Sequence, residues 1–124
     1  MAGEALGILL ISGGHERAHY AFVLASGAAA IGRGVVLFAT NQGCRALLAD
    51  LAEFAEPEAE VTARNVASLE ELREAAQMLG VRMIVCEAGL RMADLDSAAL
   101  LGGVELAGVV TFLEAVGAAQ VITL

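Results

Sequence analysis

Leu6-Gly7-Ile8-Leu9-Leu10-Ile11, running straight into Ser12-Gly13-Gly14, decides the fold. The run is apolar without alternation. A strand made from it must be covered on both faces, as in a parallel sheet between helix layers. From His15 to Ile31 the spacing turns helical, carried by Ala18, Phe22, Ala25 and Ala29. Gly32-Arg33-Gly34 ends it, with glycine where a helix C-terminus favours it. Val35-Val36-Leu37-Phe38-Ala39 then reads as a second continuous strand.

Thr40-Asn41-Gln42-Gly43 reads as a loop into a short helix from Cys44 to Phe54. Asp50 to Glu60 holds the only proline, Pro57, with Asp50, Glu53, Glu56, Glu58 and Glu60, and its second half reads as an exposed connection. Ser68-Leu69-Glu70-Glu71 is a capping box, in which the Ser68 hydroxyl and the Glu71 carboxylate each satisfy the other's backbone N–H. It opens a helix to Leu79, stopped by Gly80. Val81 to Val85 is a third strand that delivers Cys86 at its end, and Glu87-Ala88-Gly89 turns into a short helix near Leu90 to Leu95. Asp96 or Ser97 caps one more helical turn to Leu101. A brief strand at Val104 to Leu106, a helix from Val109 to Val116 stopped by Gly117, and a final strand from Gln120 to Leu124 complete the chain. The order β-α-β-α-α-β-α-β-α-β with short links demands right-handed crossovers. The predicted fold is a single α/β domain spanning 1–124, a three-layer α/β/α arrangement around a five-stranded, mainly parallel sheet.

Composition narrows the function. The chain has 124 residues, is 58% hydrophobic, and has a mean hydropathy of +0.72. Even so, the longest uncharged stretch of its first half, Ala18 to Gly32, is 15 residues. A membrane span needs about 20, so none is expected. The surplus of apolar side chains over charged ones points instead to a homo-oligomer that covers part of its surface with copies of itself. The net charge is −8, and every one of the 7 basic residues is Arg. That acidic balance argues against nucleic acid. Glu4 and the start of a strand stand where a signal peptide would carry its basic segment, so the expected location is the cytoplasm. The two cysteines there read as free thiols rather than a disulfide.

In open parallel sheets, ligands bind beyond the carboxyl ends of the strands. Three segments fall there: Ser12 to His15, Thr40 to Cys44, and Cys86 to Gly89. Cys86, where a strand hands over to a helix, can meet free N–H groups that favour a thiolate. Glu87 opposes this, and Arg82 and Arg91 can offset it; the alternative is an inert, packed cysteine. Cys44, at the start of its own helix, reads as a resolving or relay thiol or as a small core residue, with the core role favoured. Ser12, Gly13 and Gly14 before a helix form an anion-binding shape without the spacing or Lys of a nucleotide loop. Asn41 belongs to the second-strand loop of the same edge. His15 and His19 lie four apart on one helix face, but they lack a third ligand, so no metal is expected. His15 can serve as a proton donor or acceptor beside a thiol. Three readings stay open on the residues alone: chemistry on Cys86, a non-catalytic oligomeric scaffold in which Cys86 packs, and a small-molecule or anion-binding domain using Ser12 to His15.

Ser68-Leu69-Glu70-Glu71-Leu72 through Gly80-Val81, then Val85-Cys86-Glu87-Ala88-Gly89-Leu90, resembles the DsrE/DsrF-like sulfur-relay family. Leu101-Gly102-Gly103-Val104-Glu105-Leu106-Ala107-Gly108-Val109 and Phe112-Leu113 extend the match, and the acidic Asp50 to Arg64 connection matches least. The resemblance implies a flavodoxin-like fold and homo- or hetero-oligomers, often trimers or hexamers. It also implies a sulfur-carrier or sulfurtransferase-like role, in which Cys86 holds sulfane sulfur as a persulfide between donor and acceptor proteins without a cofactor. It assigns no role to Cys44, and some relatives lack the cysteine or are tethered to a membrane.

Overall fold

The computed structural model describes residues 4–124. Five strands form one sheet in the order β4-β3-β2-β1-β5, comprising β1 (Leu6–Leu10), β2 (Val35–Ala39), β3 (Arg82–Cys86), β4 (Glu105–Ala107) and β5 (Gln120–Thr123). Every neighbouring pair is parallel, so the sheet is parallel throughout rather than mainly so. The helices are α1 (His15–Ala30), α2 (Ala55–Ala63), α3 (Leu69–Met78), α4 (Glu87–Met92) and α5 (Val109–Val116).

The two sheet faces are covered unequally. Leu6, Ile8 and Leu10 of β1, with Val35, Leu37 and Ala39 of β2 and Met83 and Val85 of β3, meet Ala18, Ala21, Phe22 and Ala25 of α1 and Leu69 and Ala76 of α3 in the main core. The small residues of α1 let helix and sheet approach closely. On the opposite face, Val36, Phe38 and Ile84 meet Phe112 and Val116 of α5, with Ala115 and Ala119 packed at the margin. Phe38 and Phe112 lie nearly parallel, with ring centroids 5.0 Å apart. Because successive strand residues alternate between faces, Cys86 falls with Ile84 on this thinly covered side.

The capping box forms as predicted: Glu71 N–H donates to Ser68 Oγ and Ser68 N–H to the Glu71 carboxylate, both at 3.1 Å. The segment from Cys44 to Phe54 differs from its expected helix. A 3-10 segment covers Asn41–Leu47, the chain extends at Leu48, and a second short 3-10 turn, Ala52–Phe54, follows. The reason is competition for carbonyls. Arg73, 4% exposed, donates to Ala46 O at 3.0 Å, Leu48 O at 2.5 Å and Ala49 O at 3.4 Å. Leu101 N–H takes Leu47 O at 2.8 Å. With its carbonyls bound from outside, the segment has no need of a helical ladder. The stretch expected as a connection is instead α2. Pro57 sits in its first turn, where a missing N–H costs no intrahelical bond. The expected exposure holds, for α2 has no buried residue.

Removing Phe112 strips the second face of its main cover. Phe112→Ala is expected to lower unfolding stability by about 3–5 kcal/mol, read as a fall in the urea midpoint. A loss below about 1 kcal/mol would mean that α5 does not close this face.

Candidate functional site

The carboxyl ends of β1, β2 and β3 converge on one ridge, and the contacts that join them leave no room for side chains. Gly43 N–H donates to Ile11 O at 2.9 Å and Thr40 N–H to Leu10 O at 3.0 Å. A Cβ at Gly43 would run into the Leu10 carbonyl, and one at Gly13 would stand 2.7 Å from Gln42 Cβ. At the third strand, a Cβ on Gly89 would fall onto Thr40 Oγ1 and Asn41 N and lie 2.9 Å from Thr40 Cα. Asn41, between these contacts, has φ of 51°. Asparagine enters this left-handed region more readily than most residues.

Cys86 is the last residue of β3 and the N-cap of α4. Its backbone is extended, with φ −70° and ψ 122°, and Gly89 N–H donates to its Sγ at 3.4 Å. The thiol is half-buried and free, lying beside Ala107 of β4 in register. Gly108 and α5 follow directly, so the exposed Val109 and Val110 come close after the residue paired with Cys86. Arg82 does not offset Glu87 as expected. It is spent on Glu105, with Nε and Nη2 reaching the carboxylate at 2.6 and 2.8 Å. This exposed fork raises the pKa of Arg82 and lowers that of Glu105.

Cys44 is fully buried in the main core, its Sγ directed at Ala39 O at 3.7 Å. Burial, and secondarily the charge of Cys86, push its pKa up to about 11. That environment keeps the proton on sulfur at neutral pH.

His15 turns toward α2. Its Nε2 lies 2.6 Å from Glu58 Oε1, and its ring stacks on His19 and meets Phe54 edge-on. His19 Nε2 donates to Ala67 O at 2.8 Å. Glu58 also accepts from Leu69 N–H at 2.8 Å and Glu70 N–H at 3.1 Å, the first turn of α3. Burial opposes its charge, but the His15 contact and the Glu70 and Leu69 N–H groups outweigh it and hold the carboxyl below its ordinary 4.5. Of the residues singled out from sequence, Cys86, Gly89 and Asn41 therefore adjoin, and Gly13 joins their ridge through Gln42. Ser12 is tied to the sheet by its N–H on Leu124 O at 3.4 Å. Gly14 caps α1 with no side-chain bond. Among the described residues no three or more His, Cys, Asp or Glu are grouped to hold a metal, and no helix is long and apolar enough to cross a membrane.

Sequence reasoning placed Thr40 in the second-strand loop without giving it a contact, and passed over the roles of Glu58 and Arg73. Only Arg73 left a signal: with Leu69 and Ala76 it occupies positions i, i+4 and i+7, the buried stripe of α3. A cation there demands carbonyl partners.

The model of the DsrE/DsrF/DrsH-like family matches residues 49–124. The chain is 28% identical over 161 residues to the sulfur carrier protein DsrE2 of Allochromatium vinosum, with 98% of each chain covered. Among solved structures it is similar to the ychN protein of E. coli, with a TM-score of 0.67 at 13% identity over 98% of this chain and 100% of that one. It is also similar to MTH1491 of Methanobacterium thermoautotrophicum, with a TM-score of 0.55 at 20% identity over 97% and 99%. At those identities the structural likeness is one of fold.

Two outcomes follow from this geometry. Iodoacetamide is expected to label Cys86 in the native protein and Cys44 only after unfolding, as read by peptide mass; native labelling of Cys44 would contradict its burial. Glu58→Gln is expected to destabilise the fold above the ordinary carboxylate pKa, where a carboxyl with a depressed folded pKa contributes its full stability. Its difference from wild type should shrink as pH falls below about 4.5, and a difference that grows on acidification would contradict the assignment.

Proposed function

The chain belongs to the DsrE/DsrF/DrsH-like family, and from that premise we propose that it is a sulfur carrier that relays sulfane sulfur as a persulfide on Cys86. The observation that carries this reading is the contrast between its two thiols. Cys86 is accessible at the carboxyl edge of a parallel sheet with an N–H aimed at its sulfur, whereas Cys44 is sealed in the core. The named relative of near-full-length match, DsrE2, is itself a sulfur carrier, which supports the same role here.

The chemistry is a pair of exchanges at sulfur. The Cys86 thiolate attacks the outer sulfur of a donor persulfide and releases the donor thiolate. An acceptor thiolate then takes that sulfur and returns the electron pair to Cys86. Because Cys44 is sealed in the core and holds its proton, the acceptor is a thiol on another protein. This is a one-thiol carrier. Its partners are the proteins that supply and receive sulfur, and its setting is the cytoplasm, where thiols stay reduced. Neither exchange calls on a metal or an organic cofactor.

Self-association accompanies the reading, in a trimer or hexamer. Val109, Val110 and Leu113 of α5 are 51%, 65% and 57% exposed, an apolar stripe suited to a subunit interface. It lies on the face to which Cys86 belongs.

Intact mass after incubation with polysulfide tests the carrier. Wild type and Cys44→Ala are expected to gain sulfur mass that a reductant removes, and Cys86→Ala to gain none. No gain by the wild type would leave a scaffold or binding module as the function. For the assembly, Val110→Glu with Leu113→Glu is expected to convert the oligomer to monomer in sedimentation velocity. An unchanged sedimentation coefficient would remove α5 from the interface.

A further inference from the structure

Resting on the reading of Cys86 as the carrier thiol, we infer that Gly89 is a positioning residue for sulfur transfer. Its N–H points at the Cys86 sulfur and meets negative charge that develops there during the exchange, and its missing side chain is what allows α4 to sit where that N–H can reach.

The argument starts with what fixes each partner. Cys86 is held on β3, between β2 on one side and Ala107 of β4 on the other. Gly89, three residues on and buried, belongs to the first turn of α4, and its N–H reaches Sγ at 3.4 Å. The opposite side of Gly89 rests on the end of β2, where a Cβ would strike Thr40 Oγ1 and Asn41 N and come within 2.9 Å of Thr40 Cα. Two of those three atoms are backbone. They are anchored in turn by Thr40 N–H on Leu10 O at 3.0 Å and Gly43 N–H on Thr40 O at 3.0 Å, so they cannot step aside as a flexible side chain would. A side chain at position 89 must therefore push α4 outward and draw the N–H off the sulfur.

That N–H serves both directions of the exchange. In loading, the S–S bond of the donor persulfide breaks as a new bond forms to Cys86 Sγ, and the N–H stabilises the attacking thiolate. In unloading, the acceptor's sulfur bonds to the outer sulfur, the Cys86 S–S bond breaks, and the electron pair returns to Sγ, where the same N–H meets the leaving thiolate. The transferred sulfur keeps its proton and its oxidation level, so neither direction requires an oxidant or reductant.

The test is the pH profile of Cys86 alkylation by iodoacetamide in the full chain. The charged and titratable groups on the elements around Cys86 are Glu87 and Arg91 on α4, Cys44 and Arg45 beyond β2, Arg82 on β3 with Glu105 on β4, and Glu114 on α5. All of them are retained in Gly89→Ala. This variant is expected to react about fivefold more slowly than wild type near neutral pH. The deficit should disappear at alkaline pH, where the thiol is ionised in both. Should the alanine variant fail to fold, a second one decides. A synthetic segment 86–124, which begins with Cys86, can be ligated to a 1–85 thioester with glycolate in place of Gly89, exchanging the N–H for an ester oxygen without adding a Cβ. The same profile is expected. Equal rates near neutral pH, or a deficit of the same size at every pH, would overturn the inference. Because alkylation reads the thiol and not sulfur uptake, a wild type that takes up no sulfur would sink the carrier reading while leaving this result to stand or fall separately.

Discussion

A gap the size of a glycine separates the end of β2 from the first turn of α4, and it fixes how β3 ends. Thr40 and Asn41 fill one side of it, Gly89 the other. Across the same ridge, Gly43 lies against the Leu10 carbonyl and Gly13 against Gln42. The loops that leave three parallel strands are thus held by the close approach of glycine backbone to the neighbouring loop. Backbone contact is rigid, and it fixes the position of Cys86 at this edge. Asn41 accepts a left-handed conformation within that packing, the kind of local strain that a tightly determined edge can hold.

The unequal cover of the two sheet faces extends the same logic. One face carries α1 and α3 over a large aliphatic core, and the other carries a single helix over a small cluster. Strand alternation assigns Cys86 to the thin side, and the 3-10 segment after β2 carries Cys44 into the large core. Cys44 follows β2 into the large core and behaves as a small hydrophobe with a raised pKa. Cys86 belongs to the thin side, where its sulfur stays half-exposed. One sheet thereby makes one thiol inert and leaves the other available.

Much of this was legible in the residues. The uninterrupted runs at Leu6 to Ile11 and Val35 to Ala39 could satisfy only strands buried on both faces, and Ser68 with Glu71 fixed the start of α3 through chemistry internal to four residues. Cys86 at a strand's end was readable from the same patterning. What escaped depended on partners distant in sequence. The stretch from Cys44 to Phe54 has the composition of a helix, yet Arg73 and Leu101 bind its carbonyls from elsewhere in the chain. Tertiary hydrogen bonds overrode local propensity there. Glu58 looked like one more surface carboxylate in an acidic run, and only the fold brings it to His15 and to the first turn of α3. Gly89 was singled out as a binding residue, but its role as a spacer required the position of Thr40.

The central claim is that sulfur resides on one specific thiol, and the basic residues of the chain make that claim simple to read. With every cationic side chain an Arg, trypsin releases Cys86 in the peptide 83–91 and Cys44 in the peptide 34–45. The decisive measurement is tandem mass spectrometry of these two peptides after polysulfide loading of the native wild-type protein and alkylation of the persulfide. The account predicts the alkylated persulfide on 83–91, absent from 34–45, and lost when an acceptor thiol is added before alkylation. An unmodified 83–91 peptide, or sulfur residing on 34–45, would contradict it.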